Sequence, residues 1–479
     1  MPESRTNDFR HVSLPGVVRF GAGSVASLPA ELDGLGLSQV LVLCTPGRAA
    51  AADAIVAAAG ERVAGVFAEA REHVPAELAE RAATRAVELG ADGCVAVGGG
   101  SAVGLGKAVA LRHGLPVVAV PTTFAGSEMT PVWGLTEAGH KRTGRDPRVL
   151  PRLVIYDVDL VAGLPHATAV TSALNAMAHA AEALYAPDGS PVVSLLAEEG
   201  IRLLAAALDA LGRDAADLPA RELALRGAWL SGSCLGATTM SLHHKICHVL
   251  GGTLGLPHAA AHAAVLPAVL AFNLPAAPRA AEALERALDD ADPARRVWEL
   301  GRTTTISPGL AGLGMRWEDC ATVAAEVCAA PYANPRPVGL AAVTRIVEEA
   351  WAGSHQREGA GSRPGDTADI ERGSGAASGD RPRSSTVTSL VDVRQYPRLD
   401  VAAADDADLA ATFEDGEADI LAVDDAGQTQ PLTEVVVADS RTPHRVGQNP
   451  AVAEENDRLP GEKSTSHRSM FHTGQDVPQ

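Results

Sequence analysis

Five of the chain's 15 histidines fall between His243 and His262. They occupy the run Ser241-Leu242-His243-His244-Lys245-Ile246-Cys247-His248 and the segment opened by Leu256-Pro257-His258. Imidazole has an ordinary pKa close to neutrality and is a common metal ligand. His244 and His248 stand four apart, so on a helix they share one face. A turn at Leu256-Pro257 returns His258 toward that face. Such a cluster suits either a bound metal or proton movement beside a reacting carbon; the alternative is a row of solvated helix histidines. Upstream, Asn175 and His179 are also four apart and share a face on an Ala-rich helical stretch.

Glycine-rich turns offer a second chemistry. Gly98-Gly99-Gly100-Ser101 follows a strand-like run and opens a helical one. Glycines there let backbone N–H groups approach a phosphate, and a helix N-terminus favours its charge. The alternative is a tight strand–helix turn. Gly21-Ala22-Gly23-Ser24 is a second turn of this type. In Pro121-Thr122-Thr123-Phe124-Ala125-Gly126-Ser127-Glu128, the hydroxyls of Thr122, Thr123 and Ser127 suit a ribose or a second phosphate, or simply form a polar loop.

The elements that must position these groups follow from pattern. Strand-like runs at 39–44, 63–67, 94–97, 116–120 and 153–157 alternate with helical runs at 48–59, 75–89 and 101–112. This alternation predicts an α/β dinucleotide-binding domain with a Rossmann-like parallel sheet over 1–164. Helical stretches at 166–186, 190–212, 220–250, 258–272, 278–289, 293–303, 316–329 and 337–352 predict an all-α catalytic domain over 165–354. Residues 355–479 are rich in Gly, Ser, Asp, Arg and Pro and read as a mostly disordered extension, or as a shifted reading frame. Within it, 420–423 and 435–437 could pair as strands.

Composition bounds the partners. Aromatics are only 3% of a chain that is 46% hydrophobic, so the core must be built from Ala, Val and Leu. A net charge of −19 argues against nucleic acid and anionic membrane surfaces. An anionic substrate would need a local basic pocket. The six cysteines show no paired spacing and read as reduced thiols of a cytoplasmic protein. No signal peptide is visible in the first ten residues, and no uncharged apolar run reads as a membrane span.

Taken in order, the GGGS turn, the Pro121–Pro131 loop (PTTFAGSEMTP), N-x-x-x-H at Asn175 and His179, and H-x-x-x-H-x-L-G-G followed by L-P-H resemble the iron-containing alcohol dehydrogenase superfamily over residues 10–352. Three departures are shared with its maleylacetate reductase branch. Asn175 stands where the superfamily has a metal-binding Asp, Gly104 where the glycine motif continues to an Asp, and Cys44-Thr45-Pro46 lacks an acid for the ribose. Further runs similar to that branch are Trp133-Gly134-Leu135-Thr136, Thr143-Gly144-Arg145-Asp146-Pro147-Arg148, Leu242–His248 (LHHKICH) and Asn334-Pro335-Arg336-Pro337.

The resemblance implies an active site in the cleft between the two domains, and reduction of the C=C bond of maleylacetate to 3-oxoadipate by NADH or NADPH, in the degradation of hydroxyquinol and chlorocatechols, by a homodimer. The expected catalytic residues are His243, His244, His248, His179 and His258. The expected cofactor residues are Gly98, Gly99, Gly100, Ser101, Thr122, Thr123, Ser127 and Thr45. Arg145, Lys245 and Asn175 are the expected contacts for a small dicarboxylate, with Arg142 and Arg336 as further cations. A divalent Fe or Zn, if held, would use His179, His244 and His258; the neutral amide of Asn175 weakens that site. A metal-dependent alcohol dehydrogenase or aldehyde reductase, and an inactive nucleotide-binding protein, are the rival readings.

Overall fold

The structure is a computed structural model describing residues 9, 11, 14, 16–137, 140–302 and 309–354, together with five strands between 408 and 446. The chain divides into two compact units, Met1–Arg363 and Pro364–Gln479.

The first unit begins with β1 (Val17–Phe20), α1 (Leu28–Gly34), β2 (Val40–Cys44), α2 (Ala49–Ala59), β3 (Val63–Phe67), α3 (Ala76–Glu88), β4 (Gly93–Gly98), α4 (Gly100–His113) and β5 (Val117–Pro121). A hairpin of β6 (Val132–Glu137) and β7 (His140–Arg145) follows, then β8 (Leu153–Tyr156). The six-stranded sheet runs β1-β8-β5-β4-β2-β3, every neighbour parallel. β2, β4, β5 and β8 are buried along their full length, which is why they read as unbroken Val/Leu/Ala runs and not as alternation. The hairpin has no counterpart in the sequence expectation, because its mixed composition lacks a strict period of two.

Strand order fixes where a ligand can enter. From β2 the chain moves outward to β3, then returns to the other side of β2 to form β4. That reversal leaves a crevice at the carboxyl ends of β2 and β4. The register sets Cys44 beside Val97, and Gly98 beside Pro121. The turns that follow these three strands are therefore neighbours.

Nine helices complete the unit within the described residues: α5 (His166–Ala183), α6 (Pro191–Arg213), α7 (Leu218–Ala237), α8 (Leu242–Thr253), α9 (His258–Asn273), α10 (Pro278–Leu288), α11 (Pro293–Gly301), α12 (Asp319–Cys328) and α13 (Leu340–Ala352). From Ala169 to Ala183 all but one residue of α5 is buried, which only a small-residue helix allows. The helix expected over 220–250 is two helices. Thr238 ends α7, its hydroxyl turned back on Cys234 O at 2.9 Å, and Asp188 takes the Thr239 N–H at 3.0 Å. Composition alone gave no sign of this break.

The segment 258–276 is uncharged and, by length and composition, apolar enough to cross a membrane, contrary to the sequence expectation. It comprises α9 and the turn after it, and 56% of its most apolar stretch is buried inside the fold. It thus reads as a core helix. All six cysteines are free.

In the second unit the anticipated pairing of 420–423 with 435–437 is not found. β9 (Asp408–Glu414) pairs with β10 (Glu417–Val423), which also pairs with β11 (Thr429–Pro431). β12 (Val435–Asp439) pairs instead with β13 (Thr442–Val446). Each strand found a sequence-adjacent partner, which costs less loop closure than the longer return. The disorder expected for the rest of the extension lies outside the described residues.

The sheet domain meets α7 through two glycines. Gly126 has a positive φ of 77°, and a Cβ on Gly232 would stand 2.8 Å from the Gly126 Cα. Backbone cannot yield as a side chain can. Gly232→Ala is therefore expected to cost about 1–3 kcal/mol, read as a lower urea midpoint at unchanged m-value. An unchanged midpoint would mean that the loop at Gly126 is free to retreat.

Candidate active site

The buried carboxylate of Glu182, near the end of α5, organises the first histidine helix. Ser241, the residue before α8, makes no side-chain cap bond to that helix. Glu182 supplies the missing acceptor, receiving the N–H groups of Ser241 and His243 at 2.8 Å each and of His244 at 3.4 Å. It also receives Nδ1 of His244 at 2.7 Å. Burial raises the Glu182 pKa, while His243 and the backbone N–H groups pull it back. Four donors on two oxygens favour the carboxylate. Glu182 was missed from sequence; an acid at i+3 from His179 on an Ala-rich helix was the available signal.

With its Nδ1–H given to Glu182, His244 presents Nε2 as a lone pair, and that atom is buried without a hydrogen-bond partner. The rings of His179 and His244 lie 5.1 Å apart, and His243 and His244 5.3 Å. His262, which the sequence reading gave no role, stands at the centre. Its ring is 4.8 Å from His243, 5.0 Å from His244, 6.4 Å from His179 and 4.2 Å from His258. His258 is half-buried at the start of α9. His248 is exposed, its ring 6.3 Å from His244.

Burial, and then the neighbouring rings, hold His179, His244 and His262 well below the usual histidine range; His243 is also lowered, by burial. These four are neutral imidazoles at neutral pH, each with one N–H and one lone pair. Asn175 Oδ1, His179 Nδ1, His243 Nδ1, His244 Nε2 and both nitrogens of His262 are buried with no hydrogen-bond partner in the protein. Buried polar atoms seldom stay unsatisfied, so these six atoms call for a water, an ion or a ligand between the rings.

Among the described residues, the group with metal-like spacing is His243, His244 and His262, whose ligand atoms lie within 4.8 Å of one another. It shares only His244 with the expected set of His179, His244 and His258. The donors are all neutral, and the carboxylate at hand, Glu182, has both oxygens engaged in capping α8. A divalent cation would find nitrogen ligands, with Glu182 orienting His244 from behind, but no carboxylate ligand, which makes a weaker site than one that includes an Asp.

The expected cations separate. Arg142 is exposed and paired with Glu137 at 3.2 Å. Arg336 donates to Phe272 O at 3.1 Å and lies 4.4 Å over the Phe272 ring. Arg145 bonds the carbonyl of Gly236 near the end of α7, which pins the β6–β7 hairpin there. Lys245 is half-buried on α8, next to His244.

The expected cofactor residues converge at the strand ends. The Thr122 N–H bonds Gly98 O at 3.0 Å, and a Cβ on Gly99 would meet Thr123 Oγ1 at 2.9 Å. Gly99 precedes α4 without a side-chain cap, so the first N–H groups of α4 face the crevice bare. Thr122 Oγ1 and Ser127 Oγ are buried with no hydrogen-bond partner, and Thr45 is half-buried beyond β2. These atoms fit a dinucleotide's phosphates and ribose.

Lys107, also unforeseen, holds this loop from below. Its Nζ donates to Ser127 O, Thr130 Oγ1 and Val132 O at 2.6, 2.9 and 2.8 Å. Burial draws its pKa down to about 7, against Glu128, which raises it. Glu128 in turn accepts the Tyr156 hydroxyl at 2.8 Å.

Family models match both parts of the first unit: iron-containing alcohol dehydrogenase over residues 15–158 and the C-terminal part of the Fe-containing alcohol dehydrogenase family over 169–351. A maleylacetate reductase of Burkholderia cepacia is 50% identical over 340 residues, covering 71% of this chain and 96% of that protein. The crystal structure of maleylacetate reductase from Agrobacterium tumefaciens is 43% identical with a TM-score of 0.70, covering 73% of this chain and 100% of that one. That from Rhizobium sp. strain MTP-10005 is 44% identical with a TM-score of 0.69, covering 73% and 99%. The chain belongs to the iron-containing alcohol dehydrogenase family, in its maleylacetate reductase branch.

Proposed function

We propose that this chain reduces the C=C bond of maleylacetate to give 3-oxoadipate, using NADH or NADPH and no metal, as a cytoplasmic homodimer. Kinship with proteins named maleylacetate reductase supports the reaction. The observation that carries the metal-free reading is the hollow of neutral imidazoles whose neighbouring carboxylate is already committed to α8. Six free cysteines suit a reducing compartment.

A nicotinamide dinucleotide held by the turns at Gly98–Ser101 and Thr122–Ser127 would supply the hydride. The substrate's alkene carbon β to its ketone accepts it, charge gathers on the ketone oxygen as an enolate, and a proton must then reach the α carbon. Neutral imidazole N–H groups can bond that oxygen without first repelling or losing a proton. His179 and His262 can supply such groups; His243 gives its Nε2–H to His262 O at 3.0 Å and turns a lone pair inward, while Glu182 orients His244. His248, exposed at the edge, can exchange protons with solvent. Asn175 adds an amide to the hollow. Lys245 and Arg145 are the cations for the two carboxylates.

Freshly generated maleylacetate added to enzyme and NADH is expected to consume the NADH equally with and without a chelator. The same rate is expected from a chain ended at Arg363. No oxidation by either would overturn the assignment. His244→Ala should lower kcat by about a hundredfold or more, the range of a lost acid–base group. The crevice makes a separate prediction. Thr45→Asp should disfavour NADPH against NADH by about tenfold, because a carboxylate there bonds a ribose hydroxyl and repels a 2′-phosphate. An unmoved NADPH/NADH ratio of kcat/KM would place the ribose elsewhere.

A further inference from the structure

The second histidine helix, α9, also lacks a cap of its own. The residue before it is Pro257, which has no side-chain acceptor. The N–H of His258, the first residue of α9, donates across the cleft to Glu72 Oε1 at 3.0 Å. Glu72 belongs to the turn between β3 and α3 in the sheet domain, and that turn is strained. His73 and Val74 have φ angles of 63° and 43°, both left-handed. A β-branched residue in that region is a costly outlier, and two consecutive ones persist only where their surroundings enforce them.

The surroundings are specific. Thr136 in the hairpin donates its hydroxyl to His73 O at 2.8 Å and its N–H to Val74 O at 3.1 Å. The Val74 side chain is buried, and a Cβ on Gly104 would come within 2.8 Å of its Cγ2. Val74 thus fills the notch that the glycine leaves in α4. His73 rests against α8, its Cε1 3.5 Å from where a Cβ on Gly251 would stand. Hairpin, α4 and α8 together hold the turn in the one conformation that presents Glu72 to α9.

We propose that residues 72–75 are a positioning strap. Glu72 caps α9 from the opposite domain and so fixes where His258 and His262 stand in the cluster. Because donor and acceptor belong to different domains, the bond also ties the spacing of the cleft to the geometry of the histidines. The kinetic part of this inference rests on the reading of the cluster as the reaction site.

The test uses the full chain as wild type, Glu72→Ala and Glu72→Gln. Two readouts are taken: hydrogen exchange of the amides at 258–261, and steady-state kinetics with maleylacetate and NADH varied separately. Loss of a helix cap predicts about tenfold faster exchange at 258–261 in Glu72→Ala. Its kcat should fall about tenfold, with the KM for NADH within about twofold of wild type. Glu72→Gln keeps an acceptor oxygen and should recover most of both. Unchanged exchange in Glu72→Ala overturns the cap, whatever the activity. Faster exchange with unchanged kcat overturns the positioning role, as does a Glu72→Gln as impaired as Glu72→Ala. A wild type inactive on maleylacetate overturns the functional reading, and the exchange data still decide the cap.

Discussion

A single buried carboxylate sets the terms for the rest of the site. Glu182 ends the run of bare N–H groups at the start of α8, and without an acceptor there that helix start would be buried unsatisfied. The same oxygens lock the tautomer of His244, so its free nitrogen faces the hollow. Removing Glu182 from water is unfavourable, and the four N–H donors are what make it tolerable. One carboxylate therefore caps the start of α8, fixes the orientation of the His244 ring and has both its oxygens engaged in doing so.

The electrostatic outcome is unusual for a chain of net charge −19. Its histidine cluster carries imidazoles held neutral, a neutral amide at Asn175 and no uncommitted carboxylate from Glu182. Surface acids such as Asp33 and Glu198 are paired with Arg62 and Arg286. A dianion can approach such a hollow without meeting its own sign, and hydrogen bonds made there act in a low dielectric.

Much of this was legible in the residues. Buried strands announced themselves as short apolar runs, and GGGS marked the turn from β4 into α4 because a phosphate-ready turn needs glycine. The histidine spacing at 244, 248 and 258 pointed to one site. What the sequence hid were contacts made across long separations. Glu182 and Glu72 are ordinary acids until the fold places them on helix starts 59 and 186 residues away. Lys107 reads as a surface lysine until three carbonyl and hydroxyl oxygens enclose it. His262 carried no motif of its own, and only the packing of α9 against α5 and α8 puts it at the centre. The break at 238–241 was invisible because two acceptors that hold it, Asp188 and Glu182, lie 51 and 59 residues away in sequence.

The notch at Gly104 has a consequence for how such chains can diverge. A side chain at 104 and the side chain of Val74 claim the same volume. Any side chain at 104 would press on Val74, and so on the left-handed turn that carries Glu72. Two positions 30 residues apart in sequence thus share one volume, and a change at either is felt at the other.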